Sequence, residues 1–155
     1  LQAVARVPNI YLWIAGEGPL RRELESMAEQ LAVKPRVRFL GWRDDTPALL
    51  ATSDLFVCPS RHEPLGNVVI EAWSQRVPVI AADSLGPGTL IDHMNNGMLV
   101  PIDDPNEMGR SIKYMIDEND FRAKIAKAGR RAYEAEYTEA SVIEKYIEYF
   151  KEITA

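Results

Sequence analysis

The sequence predicts an α/β domain built on a doubly wound parallel sheet. Three observations carry that expectation. Short apolar runs, rich in β-branched and aromatic residues, alternate along the chain with longer stretches of helical periodicity. The short runs are nearly continuous in apolar character, as strands covered on both faces are. Glycine and proline turns follow the runs, at the strand ends where such sheets bind ligands.

The chain opens Leu1-Gln2-Ala3-Val4-Ala5-Arg6-Val7-Pro8, with no initiator methionine and no cap, and reads as a helix entered partway. Residues 10–15 (IYLWIA) read as a buried strand, closed by Gly16-Glu17-Gly18-Pro19. A helix over 20–32 follows from apolar Leu20, Leu24, Met27, Ala28 and Leu31, three and four residues apart. Residues 37–40 (VRFL) form the second strand, ended by Gly41. Thr46 reads as the cap and Pro47 as the first position of a short helix through Thr52. The third strand is 55–59, a helix covers 66–76, and 77–82 (VPVIAA) is the fourth strand. A short helix is expected over 89–94, ending near Asn95-Asn96-Gly97 and capped or ended at His93. The fifth strand is 98–101. Helices over 103–118, 120–136 and 139–153 complete the chain, the last with a broad side of Val142, Ile143, Tyr146, Ile147, Tyr149, Phe150 and Ile153. No repeat or linker interrupts the order, so residues 1–155 are read as one domain.

Composition narrows the function. The 155 residues are 46% hydrophobic and 26% charged, a globular balance. Eighteen basic against 23 acidic residues give a net charge of −5, which argues against nucleic acid as a partner. No apolar run approaches the roughly 20 residues of a membrane span. The single cysteine, Cys58, excludes an intrachain disulfide and reads as a small core residue. Two distant histidines without carboxylates at ligand spacing make a metal site improbable. The turn 16–19 lacks the third glycine of a dinucleotide fingerprint, since Arg21 stands in its place, so NAD is not expected.

The most informative segment is Arg61-His62-Glu63-Pro64-Leu65-Gly66-Asn67-Val68-Val69-Ile70-Glu71. It leaves the third strand, turns at Pro64 and Gly66, and enters a helix. First-turn amides of Asn67, Val68 and Val69 are expected to point at the loop and favour an anion. Glu63 precedes those amides and Glu71 follows in the second turn, so both carboxylates can border one crevice. Carboxylates accept paired hydrogen bonds from sugar hydroxyls, and with the amides they suit a ligand that has both phosphate and sugar parts. Taken singly, Glu63 reads as a solvated loop acid and Glu71 as a complement to the helix dipole; their joint setting favours the ligand. His62 is balanced between donating to the ligand and simple exposure. Arg61 is a candidate phosphate contact, while Arg21 and Arg22 rank lower. The terminal aromatics Tyr146, Tyr149 and Phe150 read as core before they read as a ligand platform.

The spacing Glu63-x7-Glu71, within Pro59-Ser60-Arg61-His62-Glu63-Pro64-Leu65-Gly66, resembles the E-x7-E signature of family 4 retaining glycosyltransferases. Further stretches resemble the same family in order: residues 12–20 (LWIAGEGPL), 37–41 (VRFLG), 53–57 (SDLFV), 77–81 (VPVIA) and 96–101 (NGMLVP). The resemblance implies the GT-B architecture, two Rossmann-like domains facing a cleft, of which this chain corresponds to the C-terminal, donor-binding one. It implies a nucleotide-diphosphate sugar as donor substrate and no cofactor or metal. Glu63 would be the catalytic residue touching donor-sugar hydroxyls, and Glu71 would hold the nucleotide ribose. Leu65 and the amides of Gly66, Asn67 and Val68 would meet sugar or diphosphate. Gly16 and Gly18 would line the cleft, Trp42 and Arg43 would lie near the base, and Arg61 and His62 near the phosphates.

The resemblance also implies an N-terminal acceptor domain in the parent chain, a cytoplasmic location, and peripheral membrane contact through that other domain. It departs from the family twice. The family's diphosphate-clamping Arg and Lys follow a first strand that should precede Leu1, and this strand belongs in the middle of the sheet. Thr89 stands where the family carries an acid. This chain alone is therefore expected not to transfer sugar. Two alternatives share the fold: a sugar-nucleotide epimerase, and a non-catalytic regulatory module of the receiver type. The second is disfavoured because the third strand ends in Cys58-Pro59-Ser60 and not in a phosphoacceptor aspartate.

Overall fold

The structure, a computed structural model, describes residues 1–154. Five strands lie in two parallel sheets: β1 (Leu12–Ala15) with β2 (Val37–Gly41), and β3 (Phe56–Cys58), β4 (Val79–Ala82) and β5 (Met98–Val100) with β4 central. Eight helices connect and cover them: α1 (Gln2–Ala5), α2 (Arg21–Gln30), α3 (Thr46–Ala51), α4 (Asn67–Ser74), α5 (Leu85–Leu90), α6 (Pro105–Asp117), α7 (Asn119–Glu136) and α8 (Glu139–Thr154).

The three-stranded sheet is packed on both faces, as its continuous apolar runs require. Side chains alternate along each strand. Val57, Ile80, Met98 and Val100 meet Met108, Ile112, Met115 and Ile125 of α6 and α7. Phe56, Cys58, Val79, Ala81 and Leu99 face the opposite way, toward Val69, Ala72 and Trp73 of α4. Cys58 is 3% exposed and is core.

The two-stranded sheet differs from expectation. Leu12 and Ile14 pack on Val4, Ala28, Val33 and Val37, but Tyr11 is 74% and Trp13 46% exposed. The helices that cover the second face lie over β3–β5, so β1 is buried on one side only. The expected sheet is also divided at the position expected for a central strand. One edge of β1 and one edge of β3 have no strand partner among the described residues. Helix α1 and the segment after it bridge the division: Ala3 and Val7 pack with the β3–β5 core, Val4 packs with the β1–β2 core, and Ile10 touches both.

Several helix ends correct the sequence reading. Asp45, not Thr46, is the N-cap of α3, which moves Pro47 to the second position. Helix α4 stops at Ser74 because the chain turns left-handed at Arg76 (φ 61°). The short helix expected over 89–94 lies earlier, as α5, and Ile91 is already extended. Pro87 is tolerated in its first turn, where a missing N–H costs nothing. His93 caps no helix; its Nδ1 accepts a hydrogen bond from the Leu99 N–H (3.0 Å) across a turn held by Asp92 and Asn96. Helix α6 starts two residues later than expected, its first amides bound by the Asp104 carboxylate. Helix α8 has no buried residue, so Tyr146, Tyr149 and Phe150 are not core: the helix leaves the body after its contact with α7 and carries its apolar side outward.

Helices α4 and α7 cross closely at Gly129, where an added methyl would lie 2.6 Å from Trp73 Nε1. The Trp73 indole is fixed, donating to the Asn96 carbonyl (3.1 Å) with the Tyr137 ring tilted against it at 6.3 Å between centroids. Glycine to alanine inside a helix ordinarily stabilises by about 1 kcal/mol. Here Gly129→Ala is expected to destabilise by about 1–3 kcal/mol through overpacking, read as a lowered melting temperature.

Candidate functional site

The loops leaving β3 and β4 interlock through backbone. Gly86 N–H donates to the Glu63 carbonyl (2.7 Å). A Cβ on Gly86 would lie 2.5 Å from the Leu65 carbonyl carbon and 2.7 Å from Gly66 N, so only glycine lets the strands of chain approach this closely. Gly66 is the N-cap of α4 in the left-handed region (φ 84°), a conformation glycine adopts without strain. With no side chain of its own to cap the helix, it receives help from Glu63, whose Oε1 accepts from Gly66 N–H (3.1 Å).

This arrangement decides which donors remain. Val69 N–H turns back to the Gly66 carbonyl (2.9 Å), and Gly66 N–H belongs to Glu63. Of the amides the sequence offered, those of Asn67 and Val68 have no acceptor among the described residues. They sit at the positive end of α4. Glu71 lies one turn beyond Asn67 on the exposed side of the helix, and helical side chains lean toward the N-terminus, back over those amides. Its carboxylate forms no ion pair among the described residues. Leu65 is exposed beside it and Val68 half-buried. Glu63, Leu65, Gly66, Asn67, Val68 and Glu71 thus share one loop and the first two turns of α4.

The remaining candidates are arranged otherwise. Arg61 Nε donates to Asp103 Oδ1 (2.6 Å), beyond β5, and His62 is exposed. Gly16, Gly18, Trp42 and Arg43 occupy the rim of the other sheet. There Gly16 N–H donates to the Gly41 carbonyl (2.7 Å), and Arg21 pairs with Glu17 (2.5 Å) and Glu25 (2.9 Å), fixing the turn 16–18 against the end of β2. Trp42 is 82% exposed. Arg43 binds Asp45 through two hydrogen bonds, 2.7 and 2.6 Å, and these hold the Asp45 carboxyl below the usual aspartate value. No hydrogen bond or ion pair among the described residues joins this second group to the first.

Two residues escaped the sequence reading. Asp103 was read only as the start of a helix. Ser84, 4% exposed at the N-cap of α5, has a hydroxyl without a partner. The reason is local: the amide it would accept from at Gly86 is bound to Glu63, and the next residue is Pro87, which has no N–H. Among the described residues no three His, Cys, Asp or Glu side chains stand close enough to hold a metal ion.

A parallel α/β domain with backbone donors and carboxylates at the carboxyl ends of its strands is the class of protein that binds a polar, anionic ligand there. Residues 1–132 match the family described as "Glycosyl transferases group 1", and the chain belongs to that family. It is 38% identical over 148 residues to the lipopolysaccharide core biosynthesis glycosyltransferase LpsE of Rhizobium meliloti (strain 1021), covering 96% of this chain and 44% of that protein. It is 33% identical over 150 residues to LpsD of the same organism, covering 97% and 44%. The chain therefore spans less than half the length of these relatives. Its fold matches Anabaena Alr3699/HepE, solved in complex with UDP, with a TM-score of 0.91 at 27% identity over 97% of this chain and 43% of that one.

The interlock yields a direct test. Gly86→Ala is expected to displace the loop before α4, so that trypsin cuts after Arg61 several times faster than in the wild type, read by limited proteolysis.

Proposed function

We propose that the chain is the donor-binding domain of a retaining glycosyltransferase of family 4, which transfers a sugar from a nucleotide-diphosphate sugar to an acceptor. The observation that carries this reading is the pair of unpartnered amides, Asn67 and Val68, in the first turn of α4, with Glu63 in the loop before them and Glu71 in the turn after. A bare phosphate would be repelled by those acids; a ligand with hydroxyls on either side of its phosphates satisfies both. The solved structures of Alr3699/HepE with UDP and with UDP-glucose support the same ligand class for this fold.

In this reading Glu71 binds the ribose hydroxyls and the α4 amides face the diphosphate. Glu63, already fixed through both its carbonyl and one carboxylate oxygen, offers its other oxygen to donor-sugar hydroxyls. Trp42 and Arg43 lie toward the base, and Gly16 and Gly18 leave the rim low enough for the ligand to cross. As the glycosidic bond breaks, negative charge grows on the leaving diphosphate. Preoriented amides and side-chain donors, the Arg61 guanidinium and the His62 imidazole among the candidates, lower the energy of that charge without a metal ion.

The acceptor side belongs to a second domain of the parent chain. The exposed apolar side of α8 supports that domain organisation. None of the described helices is long and apolar enough to cross a membrane. We place the protein in the cytoplasm, with any membrane contact made by residues outside this chain.

Calorimetric titration of the parent protein with UDP-, GDP- and ADP-sugars tests the reading. One of them is expected to bind, and Glu71→Ala to weaken it about a hundredfold or more, the size of a lost pair of charged hydrogen bonds. Retained activity in Glu71→Ala would sink the assignment, and epimerised donor in the absence of acceptor would replace transfer by epimerisation. The unpaired strand edges have their own readout. Amides on the open edges of β1 and β3 are expected to exchange slowly in the parent protein and rapidly in residues 1–155 alone.

A further inference from the structure

We propose that Asp103 is a positioning residue that aims Arg61 at the diphosphate of the donor; this rests on the donor-site reading above. Arg61 leaves β3 and Asp103 leaves β5, 42 positions later, with β4 between the two strands. Their ion pair therefore spans the carboxyl end of β4, on the side of the sheet where the α4 amides lie.

The pair does little for stability. The two side chains are 69% and 60% exposed, and exposed pairs contribute little. The backbone at Asp103 also works against it, since φ is 60°, a left-handed conformation that glycine would adopt with less strain. A carboxylate kept where glycine fits better, for a contact of little structural value, points to what the contact orients. The neighbouring acid takes no part in this, because Asp104 is committed to the amides of Asn106 and Glu107 at the start of α6.

The geometry of the bond completes the argument. Asp103 takes only the Nε hydrogen of Arg61, at 2.6 Å. The two terminal nitrogens, with four N–H groups, have no acceptor among the described residues, and they form the planar fork that matches phosphate oxygens. Binding through Nε fixes the plane of the guanidinium and leaves the fork free. Without Asp103 the long side chain would have to be ordered by the ligand itself, which weakens binding.

The test is a double-substitution cycle in the protein with its native flanking residues, titrated with UDP, GDP and ADP and with the corresponding nucleosides. Asp103→Gly keeps the backbone conformation and removes the carboxylate. It is expected to weaken the nucleoside diphosphate that binds the wild type by about three- to tenfold, with nucleoside affinity and melting temperature unchanged. Asp103→Asn, whose amide oxygen can still accept from Nε, is expected to recover most of that loss. In the Arg61→Ala background Asp103→Gly is expected to cost nothing further. Wild-type affinity in Asp103→Gly, an equal loss without Arg61, or an equal loss of nucleoside affinity would each overturn the positioning role while leaving the donor site intact. Failure of the wild type to bind any nucleoside diphosphate would overturn the donor site itself, and the role with it.

Discussion

The site depends on one close approach of backbone to backbone. Gly86 touches the segment 63–66 at a distance that leaves no room for a side chain, and its N–H holds the Glu63 carbonyl. That bond fixes the residue whose carboxylate then caps Gly66. Because the cap comes from outside the helix, α4 needs no Ser, Thr or Asp at its start, and a left-handed glycine can turn the chain sharply from β3 into the helix. The sharp turn leaves the Asn67 and Val68 amides facing outward. A conventional capping residue at position 66 would have consumed one of them. The free donors are thus a consequence of how the helix is started, and the buried unpartnered hydroxyl of Ser84 is a by-product of the same bond.

The two halves of the molecule meet different constraints. Around β4 every strand face is covered, and the alternation of Val79, Ile80 and Ala81 between two cores ties α4 and α6 to opposite sides of one rigid sheet. The β1–β2 pair has a single covered face and one free edge, joined to the rest largely through α1 and Ile10. Two strands packed on one side are marginal by themselves. The part of the site proposed to grip phosphate and sugar therefore stands on the rigid half. The part assigned to the base, Trp42 and Arg43, stands on the half whose order depends more on what covers it.

Strand order and helix order were legible because each run carries its own periodicity, and the division of the sheet followed from where a central strand belongs. Burial was less legible. Residues 10–15 are apolar throughout, yet Trp13 is half exposed, since apolar composition records what a strand tolerates and not what lies across from it. The helix placed over 89–94 failed on Pro87, a residue that suggests a break but is harmless in a first turn. At the site, the loop 61–71 could be located from Gly66 and the spaced glutamates. Which amides stay free could not, because the answer lies in the bond to Glu63 from Gly86, 23 positions away. Asp103 was invisible for the same reason, its partner being 42 positions distant.

Charge raises a last question, since a chain of net charge −5 is proposed to bind a dianionic diphosphate. Long-range attraction does not help; at physiological salt it is screened beyond about 8 Å in any case. Binding must come from groups at contact. Most cations near the strand ends are already committed, Arg21 to Glu17 and Glu25 and Arg43 to Asp45 through two bonds. Arg61 alone among these rim arginines keeps both terminal nitrogens unpartnered. Among the described residues of this loop and rim, two backbone amides and one guanidinium fork face a double charge. The acids beside it add to the demand, since Glu63 and Glu71 repel any anion that fails to satisfy them with hydroxyls. On the proposed reading these acids discriminate against phosphate and sulfate, because only a ligand that carries hydroxyls satisfies them by hydrogen bonding.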